Sequence, residues 1–195
     1  MTSRVVVLAA GLGLAAGLAT TAPATAASRP GASLDPAPPP ASQTAEAPSP
    51  YILADSRADA DATFDALERG GSALRTASVK YGPCVLYPSV VYLRKSSSYR
   101  DVGTKPYTKC DVAVTSIRHS TDLRYKSFIW WKKAGDTTTG GNSAASSYTQ
   151  RNVGYRCVSD ESTGWSGTTA GTIVYAGKTY YARVYQPVKT LDCGG

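Results

Sequence analysis

Few residues of this 195-residue chain could carry a reaction, and their spacing decides what they can do. His119 is the sole histidine, so a multi-histidine metal site is excluded. It opens the run His119-Ser120-Thr121-Asp122, whose types are those of a base, a nucleophile and an orienting acid. Consecutive residues cannot stack into a triad, so His119 reads first as a turn or surface histidine. Gly164-Trp165-Ser166-Gly167 imitates a nucleophile elbow but has Thr168 where the motif requires glycine. Glycoside hydrolysis needs two carboxylates across one bond, whereas Asp160-Glu161 are adjacent in a turn-like segment. A small nuclease could use His119 and Glu161 as acid and base with Arg118 on the phosphate. Composition permits that set and no spacing selects it. The sequence has no P-loop, dinucleotide fingerprint or calcium loop. No catalytic residue, metal or cofactor is therefore assigned.

The feature that does recur is aromatic residues interleaved with basic ones. Tyr99-Arg100, Lys105-Pro106-Tyr107-Thr108-Lys109, Arg124-Tyr125-Lys126, Trp130-Trp131-Lys132-Lys133 and Tyr180-Tyr181-Ala182-Arg183-Val184-Tyr185 all follow the pattern. Part of this is ordinary strand chemistry, since tyrosine favours strands and Lys/Arg keep exposed faces wet. The rest suits a binding face, where rings stack or anchor and cations hold anionic groups. The candidate binding residues are Trp130, Trp131, Lys132, Lys133, Tyr181, Arg183 and Tyr185.

Charge and composition say where these residues sit. Residues 79–195 hold 16 basic and 7 acidic side chains, a net +9, while 27–78 hold 4 and 7, a net −3. All three tryptophans and 12 of the 13 tyrosines also lie after residue 78, which marks that stretch as the domain. Its β-branched and aromatic runs are broken by Gly, Pro, Ser and Asn. They predict strands at 90–95, 111–117, 124–133, 150–158, 163–168, 172–175 and 179–186. The last two form a hairpin around Ala176-Gly177-Lys178. Along 179–186, Tyr180, Ala182 and Val184 share a buried face, and Tyr181, Arg183 and Tyr185 a half-exposed one. Val112 and Val114 alternate but Ile117 is out of phase, so 111–117 needs a bulge or a strand end. Residues 124–133 are apolar on both sides and read as a central strand or a binding strand. Residues 135–147 read as the longest loop. The fold class is all-β: an antiparallel β-sandwich or small barrel of about seven short strands.

Cys84, Cys110, Cys157 and Cys193 all fall in this domain. Their even number predicts two disulfides in an oxidising compartment. Closing the nearer pairs costs least loop entropy, which favours Cys84–Cys110 and Cys157–Cys193. Each such bridge contributes on the order of 3–4 kcal/mol. The spacing lacks CxxC pairs and argues against zinc.

Ahead of the domain, residues 1–26 read as a signal peptide. They carry Arg4, an uncharged apolar run over 5–18, and Ala24-Thr25-Ala26 before the cut. Residues 27–50 form a Pro/Ala-rich disordered spacer. Residues 51–78 hold a short acidic helix and connector. The helix opens on Ser56-Arg57-Ala58-Asp59, has Ala60, Phe64 and Leu67 on one face, and ends at Gly70-Gly71. With so thin a stripe it either covers the basic face of the domain or stands free as a stalk.

The leader, the Pro/Ala spacer and the Tyr-rich four-cysteine β domain resemble small secreted proteins of actinobacterial type, some of which are enzyme inhibitors. No segment matches a reactive-site motif, so no residue role carries over. The expectation is a secreted, monomeric, non-enzymatic binding domain without a transmembrane segment once the signal is removed. Its basic aromatic surface would engage an anionic envelope polymer or an extracellular protein. Nucleic acid is the less accessible partner outside a cell. The alternatives are a small hydrolase or nuclease built on His119 and Glu161, and an enzyme inhibitor inserting residues 135–147.

Overall fold

A computed structural model describes residues 47–69 and 79–195. The signal peptide, most of the spacer and the Gly70-Gly71 helix stop lie outside the described residues. In chain order the elements are β1 Ser49–Leu53, α1 Arg57–Glu68, β2 Tyr81–Tyr87, β3 Tyr92–Leu93, β4 Asp101–Gly103, β5 Tyr107–Ser127, β6 Trp130–Lys133, β7 Thr138–Thr149, β8 Gly154–Arg156, β9 Ser159–Tyr175 and β10 Lys178–Gly194. A short 3₁₀ turn, Lys95–Ser97, joins β3 to β4. The fold is all-β and antiparallel, with both disulfides paired as expected: Cys84–Cys110 and Cys157–Cys193.

The strands differ in length from their sequence signatures. β5 runs for 21 residues, and β9 and β10 for 17 each. Residues 163–168 and 172–175 are one strand, and the intervening Gly171 has a packing cause. A Cβ there would collide with the Tyr51 hydroxyl, so only glycine lets β9 pass the ring. Ser49 and Pro50, at the end of the expected spacer, already belong to β1 and pair with β2. The β9–β10 turn is Ala176-Gly177, both left-handed with φ of 48° and 72°, the conformation that matches the twist of a hairpin.

The long β5 organises the core. Its first residues pair with β2, its later ones with β9, and β7 follows along the other edge. The pairings close a circuit β2–β1–β10–β9–β5–β2. A straight strand would hold Thr108 and His119 about 35 Å apart, yet Thr108 Oγ1 and His119 Nε2 are 2.7 Å apart. β5 therefore doubles round the core. The β5–β7 register shifts between Lys109 and Val114, ahead of the place where the sequence put a bulge; from Val114 through Ile117 to Thr121 the pairing runs without a shift.

Two apolar clusters fill the interior. One, inside the circuit, contains Tyr51, Leu86, Ile117, Ile173, Val184 and the Cys84–Cys110 bridge. The second includes Val91, Val102, Leu123, Val153 and Trp165, with Cys193 of the other bridge. It involves the three-stranded sheet β3-β4-β8 and the far halves of β5, β9 and β10. A buried polar seam completes the interior. Tyr51 Oη meets Thr108 Oγ1 at 2.7 Å, Thr121 donates to Gln150, and Gln186 donates to Thr169. Each partner answers a group that would otherwise be costly to bury.

Residues 135–147 are not a loop. Most of them form β7, whose sequence Thr-Thr-Gly-Gly-Asn-Ser-Ala-Ala-Ser-Ser-Tyr-Thr has no buried residue. A strand paired on one edge and exposed carries no apolar alternation to betray it. The inhibitor reading, which needed a mobile insertion there, loses its loop.

Candidate functional site

Arg118, His119 and Ser120 lie together along β5, but Glu161 and Ser166 stand on β9 and Asp122 is taken up by its own ion pairs. His119 lies mid-strand on β5 and is 1 % exposed, which corrects its reading as a turn or surface residue. Its ring stands edge-on to Tyr148, 4.9 Å between centroids. Burial pushes its pKa down to about 3, so the ring is neutral at neutral pH. Glu161 is exposed at the start of β9, ten positions before Gly171, the residue paired with His119. Glu161 is not among the residues lining the cavity beside His119 and is exposed where His119 is buried. Asp160-Glu161 lie in this strand rather than in a turn. Ser166 is fully buried, and its hydroxyl donates to the Gln186 carbonyl at 2.7 Å, so no nucleophile elbow forms. Asp122 is fully buried against Arg124 at 3.2 Å and Lys133 at 3.3 Å, and accepts a hydrogen bond from Thr137. All four cysteines are in disulfides, which suits an oxidising compartment. A cavity of about 350 Å³ along β5 and β7 is lined by Arg118, His119 and Ser120 among others, and no carboxylate lines it.

The candidate binding residues divide into two sets. Tyr181, Arg183 and Tyr185 lie on the outer face of β10, and α1 covers them. Ser56 caps the helix by accepting the Asp59 backbone N–H at 3.2 Å, and Ala60 and Phe64 are buried. They pack with Ile52, beside Ala54, Val79 and Tyr181. Leu67, from the same expected stripe, remains 38 % exposed. Arg183 has its side chain 1 % exposed and reaches three carboxylates of the helix: Asp65 at 2.6 Å, Glu68 at 3.0 Å and Asp61 at 3.5 Å. The guanidinium also lies 5.5 Å from the ring centroids of Phe64 and Tyr185. Burial opposes its charge, but bonds to Asp65 and Glu68 and the nearby Tyr185 hold its pKa above the ordinary value. The Tyr185 hydroxyl donates to Glu68 at 3.4 Å, and burial pushes its own pKa up. Arg57 completes the clasp, donating to the Gly171 carbonyl and Thr172 hydroxyl with its guanidinium over Tyr181. Of the two fates open to the acidic helix, the structure takes the docked one.

The second set, Trp130 to Lys133, is not the end of a central strand. It is the return arm of a hairpin, with Arg124, Tyr125, Lys126 and Ser127 opposite Lys133, Lys132, Trp131 and Trp130. The turn is Phe128-Ile129, and Phe128 sits at φ 55°. Bulky side chains rarely adopt that region, which is why no turn signal was visible. Since opposed residues share a face, Trp130 and Lys132 lie on one side of the hairpin and Trp131 on the other with Lys126. Lys133 is occupied at the root, bonded to Thr137 and paired with Asp122. At the tip, Phe128 is 95 % exposed, Ile129 76 % and Trp130 70 %. Lys126 and Lys132 are exposed just behind it. Residues 123–134 contain four basic side chains and no acidic one.

Phe128, Ile129 and Lys126 are the members that sequence reasoning missed. The signal available was a mirrored Lys-x-apolar-x-Lys run without carboxylates, hidden because Phe-Ile is poor turn chemistry. No protein-family model, curated protein or solved structure matches the chain. Among the described residues no helix is long and apolar enough to cross a membrane.

Proposed function

We propose that the chain is an exported, non-catalytic binding module that engages an anionic component of the cell envelope through the β5–β6 hairpin. Residues 1–26 direct export, and the stretch from 27 to the start of β1 at Ser49 spaces the domain from its origin. The observation that carries this reading is the division of the basic aromatic residues. Those on β10 are spent on holding α1, while Trp130 and Lys132, with Lys126 and the tip, face outward. The +9 charge of residues 79–195 supports an anionic partner. The burial of His119 and Ser166, the exposure of Glu161 and the absence of a carboxylate from the cavity beside His119 weigh against the hydrolase and nuclease readings.

The test is binding of the full chain to isolated envelope fragments and to poly(glycerol phosphate) as a soluble polyanion. Lys126→Glu with Lys132→Glu should weaken binding on the order of tenfold or more, and added salt should weaken the wild type. Unchanged binding by that variant would overturn the assignment of the hairpin. His119→Ala and Glu161→Ala should leave binding intact. Any nucleic-acid or polysaccharide turnover that disappears in either would overturn the non-catalytic reading. Protein recovered from the medium should begin at Ala27, and recovery of a chain starting at Met1 would contradict export.

A further inference from the structure

The hairpin has a shape that its charge alone does not explain. The β5–β9 ladder ends at Tyr125–Trp165, while β5 and β6 remain paired out to Ser127–Trp130. The tip therefore extends past the last rung of the sheet. Three consecutive large apolar side chains occupy it, all at least 70 % exposed, whereas the other exposed ones are single residues such as Val112 and Val158 or, like Val90 and Tyr107, less exposed and gathered round one small pocket. Scattered exposed apolar residues are normal, but a contiguous group marks a contact. Phe128 also keeps a left-handed φ that glycine or asparagine would adopt more easily. The φ itself closes the two-residue turn, as it does at Ala176, but a phenyl ring displayed to solvent from that position gains nothing for the fold, so the benefit of phenylalanine there lies in what the ring meets.

The arrangement is two-sided. Lys132 lies beside Trp130 on one face, and Lys126 opposite Trp131 on the other. A flat polymer or protein epitope would be met by one face. A tip apolar on its end, with a cation behind it on each face, suits a medium that surrounds it: apolar at depth and anionic at the rim. Tryptophan favours that boundary, and lysine reaches back toward headgroups. The root is fixed for such a load by the buried Asp122, which holds both Arg124 and Lys133.

We propose that Phe128, Ile129 and Trp130 insert into the interfacial layer of an anionic phospholipid bilayer, with Lys126 and Lys132 on its headgroup phosphates. This rests on the envelope-binding reading and names its partner. The tip is a two-residue turn on a four-pair hairpin, so it enters one leaflet and does not span.

The experiment uses the full chain carrying Trp131→Phe, so that emission reports Trp130 against the buried Trp165. It is titrated with phosphatidylcholine vesicles with and without phosphatidylglycerol, and separately with poly(glycerol phosphate). The expected result is a blue shift of Trp130 on phosphatidylglycerol vesicles and quenching by lipid-borne quenchers. Phe128→Ser with Ile129→Ser should lower partitioning about tenfold. Lys126→Gln with Lys132→Gln should lower it on the order of tenfold and remove the dependence on phosphatidylglycerol. Vesicle binding with no shift of Trp130 and no effect of the tip substitutions would overturn insertion. Hairpin-dependent binding of poly(glycerol phosphate), or of poly-glutamate as an acidic-protein probe, without vesicle binding would overturn the lipid assignment and leave a hairpin binding site. Binding to none of the probes would overturn both readings.

Discussion

The outer face of β10 and the β5–β6 hairpin are written in the same residue language and have opposite fates. Tyr181, Arg183 and Tyr185 alternate with Tyr180, Ala182 and Val184, as Trp130 to Lys133 alternate across the hairpin. The difference lies in what else the chain supplies. An acidic helix with Phe64 at its centre reaches β10, and its carboxylates gather on Arg183. Among the described residues nothing comparable reaches the hairpin tip, where Phe128 is 95 % exposed. Aromatic-basic patterning therefore does not identify a binding face by itself. It identifies a surface that needs a partner, and one partner here is the chain's own helix.

The comparison can be strained first with acid, which acts on the interior that both regions stand on. The His119 ring is held neutral, with its pKa pushed by burial from 6.5 to about 3. Between those values the unfolded chain binds a proton that the folded chain refuses. Stability from this group is thus complete above pH 6.5 and falls with pH, by up to about 1.4 kcal/mol per unit. Urea midpoints across that window should fall in the wild type and flatten in His119→Gln. A wild-type midpoint indifferent to pH would show that the ring is not sealed.

Arg183→Ala should come next in size. Three carboxylates lose their buried cation, but they are 37 % to 56 % exposed and can return to water. The loss should be about 2 kcal/mol rather than the larger cost of a fully buried pair. Amides of 57–68 should exchange faster while ligand binding by the hairpin is unchanged. If binding fell in parallel with helix release, the two regions would not be independent.

Phe128→Gly should move in the opposite direction. Relief of the left-handed phenylalanine, less the entropy of glycine, should raise stability by about 0.5–1 kcal/mol while weakening membrane partitioning. A variant that is less stable would mean that the ring serves the fold. The smallest effect on stability belongs to Trp130→Ser, under about 0.5 kcal/mol by thermal melting, because its side chain projects outward.

These residues also show what could be read from the sequence. The disulfides followed from loop closure, the Tyr180/Ala182/Val184 face from strand parity, and the final hairpin from Ala176-Gly177, because each is a local rule locally obeyed. The bulge in β5 was not located: Ile117 falls out of phase with Val114 in burial, but the register shift comes earlier, between Lys109 and Val114. The β5–β6 turn was not visible, since Phe128 violates turn chemistry instead of using it. β7 was taken for a loop because an exposed edge leaves no apolar trace. His119 was misplaced because its partner Thr108 is a neighbour only once β5 has bent. Two of the candidate binding residues have intramolecular partners that no local pattern announces: Lys133 braces the hairpin root, and Arg183 anchors a helix.

Amide exchange of the full chain, with and without phosphatidylglycerol vesicles, tests the division between the two regions most directly. The hairpin should gain protection over 125–133, while 57–68 and 180–186 remain as they are in the free protein. Deprotection of 57–68 together with altered exchange at 180–186, and no change at the hairpin, would contradict it: the covered face of β10 would then be the binding site and α1 its lid.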